Sequence, residues 1–277
     1  HTDSPFAANI LDQETAGSLI GTTGAVNFVC MAASPVEDYL STIYVLVEPF
    51  NVQVNQGAYL LTCDRVGAGA WELLGTLPPG AGAAYRRIDS RGGGLAVGQY
   101  YKDLIISVAG GDSIHRTING GDNWEMAFDG NGFYAPRYIH IPRRTPNVVY
   151  FVDGEVEAVY KSTEYGASGT FHNMTPFISG GYWGCYNSNQ YQTCKITSSN
   201  VDADKINAFL ETDDNPPGKM QGLLISDNAG NNWTLKRILG GATSGNISKN
   251  RGLVTHPADI NKIYFMGSTD SIYQIAV

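Results

Sequence analysis

An eight-residue pattern recurs along the chain. It reads Thr117-Ile-Asn119-Gly-Gly121-Asp-Asn123-Trp124, and again Ser226-Asp-Asn228-Ala-Gly230-Asn-Asn232-Trp233. A looser copy with two inserted residues is Ser162-Thr-Glu164-Tyr-Gly166-Ala-Ser-Gly-Thr170-Phe171. Each box runs from a hydroxyl through a short polar acceptor to glycine, and closes on an aromatic. A strand that ends in Ser or Thr must turn back sharply. The Asn two residues on can bind the turn's own amides, and the glycine takes the positive φ that closes it. The closing Trp or Phe then packs over the hairpin. Folding alone accounts for every residue type, so the pattern constrains architecture and leaves chemistry open.

A second repeat accompanies the first. Ser34-Pro35 leads to Ile43-Tyr44-Val45, and Thr145-Pro146-Asn147 leads to Val148-Val149-Tyr150-Phe151. Val201-Asp-Ala-Asp204 leads to Ile206-Asn-Ala-Phe209, and His256-Pro257-Ala-Asp259 leads to Ile263-Tyr264-Phe265. Each is a turn followed by a strand with β-branched and aromatic alternation. The eight-residue pattern resembles the Asp-box of sialidase-like and xyloglucanase-like β-propellers. In xyloglucanase-like and sortilin-like propellers a similar His-Pro-x-Asp-Pro turn precedes the box within each blade. Both repeats in the right order imply four-stranded blades, spaced at roughly forty to sixty residues.

The expected fold is all-β: a single five-bladed β-propeller of four-stranded antiparallel blades, one domain over 1–277. The blades are expected near 26–77 (with a degraded box from Thr62 to Trp71), 86–128, 137–177, 195–239 and 252–277. The last is one strand short, and Ala16-Gly-Ser-Leu-Ile-Gly21 is expected to supply that strand and close the ring, leaving no open edges. A sixth blade would have to hide in the long first segment. A β-sandwich would not explain boxes in register. Helix is expected to be nearly absent, its best candidate a short turn around Asn9 to Thr15.

Composition limits the partners. The formal net charge of −8 disfavours nucleic acid and anionic membranes. No apolar run is long enough to span a bilayer, and no signal peptide is evident, so in an exported protein His1 would follow a removed leader or belong to a tag. Cys185 and Cys194 bracket a short loop that a disulfide would staple. Cys30 and Cys63 fall in apolar strands of one sheet but not adjacent ones, and read as buried thiols. Sequons occur at Asn173, Asn232 and Asn246. Together these favour a secreted or surface-exposed glycoprotein.

In propellers, ligands sit at the channel mouth, on loops and innermost strands. The innermost strands are expected to carry Tyr85-Arg86-Arg87-Ile-Asp89, Arg137-Tyr138-Ile-His140, and Arg251 with His256. Arg137 to His140 resembles the arginine strand of sialidases. That resemblance implies three carboxylate-clamping arginines, a Tyr–Glu nucleophile pair and an acid, and this sequence lacks the full set. A glycosidase or lyase would need two facing carboxyl groups, roughly 5–10 Å apart. The candidates are Asp89, Asp103, Asp153, Glu155, Glu157, Glu211, Asp213 and Asp214. Xyloglucanases bind between two propellers, and one small ring lacks the second wall.

The insertion 179–194 is the most distinctive segment outside the repeats. Tyr182 and Trp183 precede Cys185, and Tyr186 and Tyr191 alternate with Asn187 and Gln190 between the two cysteines. Aromatic faces stack on sugar C–H faces and amides satisfy hydroxyls, a pairing that suits a lectin-like carbohydrate site. The same residues suit a protein interface, or a loop that buries its aromatics on the next blade. The five histidines are scattered without ligand spacing, so no metal and no cofactor is implied. The leading expectation is recognition of carbohydrate or a protein surface by an exported or virion protein. The alternatives are a small secreted glycosidase or lyase, and a structural subunit that forms a homo-oligomer or assembly.

Overall fold

The computed structural model describes residues 11–33, 42–49, 58–64, 70–77, 95–98, 104–109, 113–130, 136–153, 158–174, 195–212, 220–239, 252–256, 258–259, 261–266 and 272–276. A helix, α1 (Gln13–Leu19), precedes the first sheet: β1 (Val26–Ala33), β2 (Thr42–Pro49), β3 (Tyr59–Asp64) and β4 (Glu72–Thr76). The second holds β5 (Leu95–Val97), β6 (Ile105–Ala109), β7 (Ser113–Thr117) and β8 (Glu125–Asp129). The third holds β9 (Pro136–His140), β10 (Val149–Asp153), β11 (Ala158–Ser162) and β12 (His172–Asn173). The fourth holds β13 (Lys195–Ser198), β14 (Ile206–Thr212), β15 (Met220–Ser226) and β16 (Thr234–Leu239). The fifth has three strands among the described residues: β17 (Gly252–Thr255), β18 (Lys262–Met266) and β19 (Ile272–Ala276).

Every sheet is an antiparallel meander in chain order. The fold is all-β and built of blades, as the two repeats imply. The chain divides into two compact units, residues 1–129 with the first two sheets and 130–277 with the other three.

Alternation explains how a blade buries both faces. On β2, Tyr44 and Leu46 join Ala58, Leu60, Leu77, Leu95 and Ile105 in a cluster that spans the first and second sheets. Val45 and Val47 point the other way and join Val26 and Leu61. Cys30 lies opposite Leu46 on β1 and Cys63 opposite Ile43 on β3, so they belong to opposite faces with β2 between them. Both remain thiols.

Two expectations are corrected. Residues 16–21 supply no strand: Ala16 to Leu19 lie in α1, and Ile20 and Gly21 form its turn. Asp12 caps the helix by accepting a bond from the Thr15 amide at 2.7 Å. The buried Ala16, with Leu11, Leu19 and Ile20, packs on Val26, Val45, Val47 and Leu61. The helix thus covers one face of the first sheet, and it begins later than the turn expected around Asn9 to Thr15. The first strand of the second sheet among the described residues is β5, and the Arg86 to Asp89 stretch lies outside them. Leu95 fills the cluster against the first sheet.

The three boxes share one hydrogen-bond scheme. Thr117 Oγ1 accepts from the amides of Asn119 (3.3 Å) and Gly121 (3.0 Å). Ser162 Oγ accepts from Glu164 (3.1 Å) and Gly166 (3.2 Å). Ser226 Oγ accepts from Asn228 (3.3 Å) and Gly230 (2.8 Å). In the two strict copies the hydroxyl also donates to the Asn carbonyl oxygen, which accepts the amide four residues further on. Glycine takes positive φ at Gly121, Gly166 and Gly230, and so does the residue before it: Gly120, Tyr165 and Ala229. The sequence pattern foresees the first of these and not the second.

The two repeats form one unit. The Tyr165 amide donates to the Asn147 carbonyl and the Ala229 amide to the Asp204 carbonyl, each at 2.7 Å. A box is therefore tied to the turn that opens its own sheet's second strand. It also reaches the preceding sheet. Trp233 Nε1 donates to Met174 O at 3.1 Å, and Trp124 packs against Gly75, where any Cβ would stand 2.8 Å from Nε1. Removing the hydroxyl by Ser226→Ala leaves the buried Gly230 amide without its acceptor, and is expected to cost about 2 kcal/mol in urea unfolding. A change under about 0.5 kcal/mol would show that the scheme is not a stabilising one.

Candidate functional site

In the second unit the first strands β9, β13 and β17 lie side by side. The polar side chains there bond across from sheet to sheet. His140 Nε2 on β9 lies 2.8 Å from Ser198 Oγ on β13. Burial holds the His140 imidazole down to about 4, so at neutral pH it is an uncharged donor–acceptor. On the next seam, Thr255 Oγ1 donates to Thr197 Oγ1 at 3.4 Å and accepts from Asn207 Nδ2 at 3.3 Å. Asn207 is fully buried. Tyr138 turns into the apolar cluster of Val148, Tyr150, Val152 and Ile196. His256 Nδ1 accepts the Ala258 amide at 3.1 Å, fixing the turn before β18. These groups can hydrogen-bond hydroxyls and amides.

The remaining candidates are placed as follows. Arg137 lies on β9 between Pro136 and Tyr138, and its side chain is outside the described residues. Asp153 ends β10, opposite Pro136 on one side and Ala158 on the other. Glu211 sits one residue before the end of β14, opposite Gln221. Both occupy the same end of the second strand in neighbouring sheets. Arg87, Asp89, Asp103, Glu155, Glu157, Asp213, Asp214 and Arg251 lie outside the described residues. So do Asn246 and the insertion 179–194, with Tyr182, Trp183, Cys185, Tyr186, Asn187, Gln190, Tyr191 and Cys194. Asn173 on β12 and Asn232 in the last box are exposed. Among the described residues no group of three His, Cys, Asp or Glu is placed to hold a metal ion, and no helix is long and apolar enough to cross a membrane.

Sequence reasoning missed Thr197, Ser198, Asn207 and Thr255. Its only signal was the polar run Thr197-Ser-Ser-Asn200 directly after an apolar strand residue. It also passed over His115, which is buried on β7 with neither ring nitrogen hydrogen-bonded.

Meander sheets joined through box turns and polar first strands define a protein of the β-propeller blade class. No family model and no curated protein sequence matches the chain. Among solved structures, an ancestral GH74 enzyme superposes with a TM-score of 0.50 at 14% identity, over 90% of this chain and 31% of that one. A protein of unknown function from Dyadobacter fermentans gives 0.50 at 10% identity, over 91% and 83%. The GH74 xyloglucanase of Xanthomonas campestris gives 0.49 at 12% identity, over 89% and 44%. The chain spans less than half the length of these GH74 proteins. At such identities the likeness is one of fold.

Proposed function

We propose that this is an exported or surface-exposed recognition protein that binds glycan through loops at one face of its blades. The observation that carries the reading is the composition of the connection from β12 to β13. Tyr182 and Trp183 offer faces for sugar C–H bonds, Tyr186 and Tyr191 extend them, and Asn187 and Gln190 satisfy hydroxyls. A Cys185–Cys194 disulfide would hold the loop in its binding shape and lower the ordering cost. Arg87, Arg137, Tyr138 and His140 would add polar contacts from the innermost strands. The boxes belong to the Asp-box class on this reading, and support the loops without touching ligand. Export is supported by the spacing of Cys185 and Cys194, which suits a disulfide, and by the exposure of Asn173 and Asn232.

The test is a glycan array on the folded protein, run beside Tyr182→Ala and Trp183→Ala. Each variant is expected to lose tenfold or more in affinity for the glycans that the wild type retains, about 1.4 kcal/mol, with an unchanged melting temperature. Failure of the folded wild type to bind any glycan would sink the proposal.

A second reading rests on Asp153 and Glu211, which sit at the same end of neighbouring second strands. A glycosidase built there would release reducing ends from a polysaccharide, and Asp153→Asn or Glu211→Gln would abolish that release. Turnover unaffected by either change would exclude these two carboxylates.

A further inference from the structure

The seam between the first and second sheets contains a buried imidazole with no hydrogen-bond partner. His115 is 4% exposed, and neither Nδ1 nor Nε2 is bonded. Register places it on the seam. His115 stands opposite position 107, which stands opposite Leu95, and two residues along Thr117 stands opposite Ile105. Directly paired positions share a face, and Leu95 and Ile105 pack on Tyr44, Leu46, Ala58, Leu60 and Leu77 of the first sheet. Trp124 packs into the same cluster, with its Nε1 also buried and unbonded.

We propose that this seam is an acid-sensitive joint, which opens between β4 and β7–β8 when His115 takes up a proton. A cation there would be buried with neither ring nitrogen hydrogen-bonded, a state far costlier than the same cation in water. The titratable groups on the seam-facing positions are Cys30 on β1, Tyr44 and Glu48 on β2, Asp64 on β3, Glu72 on β4 and Asp129 on β8, and neither ring nitrogen of His115 is bonded to any of them. Glu48 shares the face of Tyr44 and Leu46 by alternation, and burial raises its carboxyl toward the protonated form. Glu72 on β4, opposite Thr62, is exposed to water. Arg116 and Glu125 are bonded to each other on the other face of β7–β8.

Burial holds the His115 imidazole below its ordinary value, and no other cause acts on it. The opened seam therefore binds the proton more tightly than the closed one. Stability is complete above about pH 6.5 and is lost as the pH falls below that.

Hydrogen–deuterium exchange at pH 7.5 and 5.0, corrected for the intrinsic rate, tests this on the wild-type chain. Amides of β4 and β7–β8 are expected to exchange about tenfold faster at the lower pH, with those of β14–β15 unchanged. His115→Phe, which fills the seam without a titrating group, is expected to remove the difference. No acceleration in wild type, or equal acceleration in β14–β15, overturns the proposal, as does acceleration that persists in His115→Phe. If His115→Phe does not fold, the wild-type exchange pattern decides alone.

Discussion

Tyr150→Ala is expected to destabilise the 130–277 unit by about 4–5 kcal/mol. Tyr150 is 1% exposed on β10, and its ring fills a cluster with Val148, Val152, Val159, Ile196, Ile206, Ala208 and Leu224. Those residues come from the third and fourth sheets, so truncation leaves a cavity between blades. The hydroxyl adds a separate contact, donating to the Ala229 carbonyl at 3.0 Å. Ala229 is the left-handed residue of the last box, so the third sheet grips the box of the fourth. Lys161 Nζ donates to the same carbonyl at 2.8 Å, which remains bonded when the hydroxyl alone is removed. Tyr150→Phe should therefore cost only about 1 kcal/mol. Urea unfolding of both variants separates the two contributions. Equal losses would mean that the hydroxyl contact, not the ring, holds the two sheets together.

What the sequence showed and what it hid divide by the range of the interactions. The box is a local object. Ser226 or Thr117 binds amides two and four residues on, so residue types at fixed spacing announce the whole turn. The apolar strands announce themselves in the same way, through alternation in Ile43 to Val47 and Val148 to Val152. The short helix was also written locally, in the Asp12 cap with Glu14 in the first turn. It was misread because Ala16 to Gly21 looked like the strand that a five-blade count required. Contacts such as Tyr150 to Ala229, 79 positions apart, have no local signature. The same holds for His140 with Ser198, and for the placement of His115 on an interior seam. A histidine in Ser-Ile-His-Arg-Thr looks like any strand residue until the neighbouring sheet covers it. Tyr138 and His140, first-strand residues that sequence reasoning assigned to a ligand, also make contacts between sheets.

Gly121→Ala separates the two reasons for glycine in the box, and is expected to cost about 3 kcal/mol. Gly121 has φ +109°, a value that side-chain-bearing residues rarely adopt. Its added Cβ would also stand 2.8 Å from Leu74 Cγ and 3.3 Å from both Leu74 methyls. Leu74 packs against the cluster between the first and second sheets, so it has little room to yield. Gly169 supplies the control: its φ is +75°, with nothing within 4 Å of an added Cβ. Gly169→Ala carries backbone strain alone and should cost about 1 kcal/mol. The difference measures the contact of the box with the preceding sheet, and Leu74→Ala tests it directly. If crowding dominates, Leu74→Ala and Gly121→Ala together should cost less than the sum of the singles, by about 1 kcal/mol or more. Strict additivity would assign the glycine to its backbone angle alone. It would make the box a hairpin device rather than the element that presses one blade onto the next.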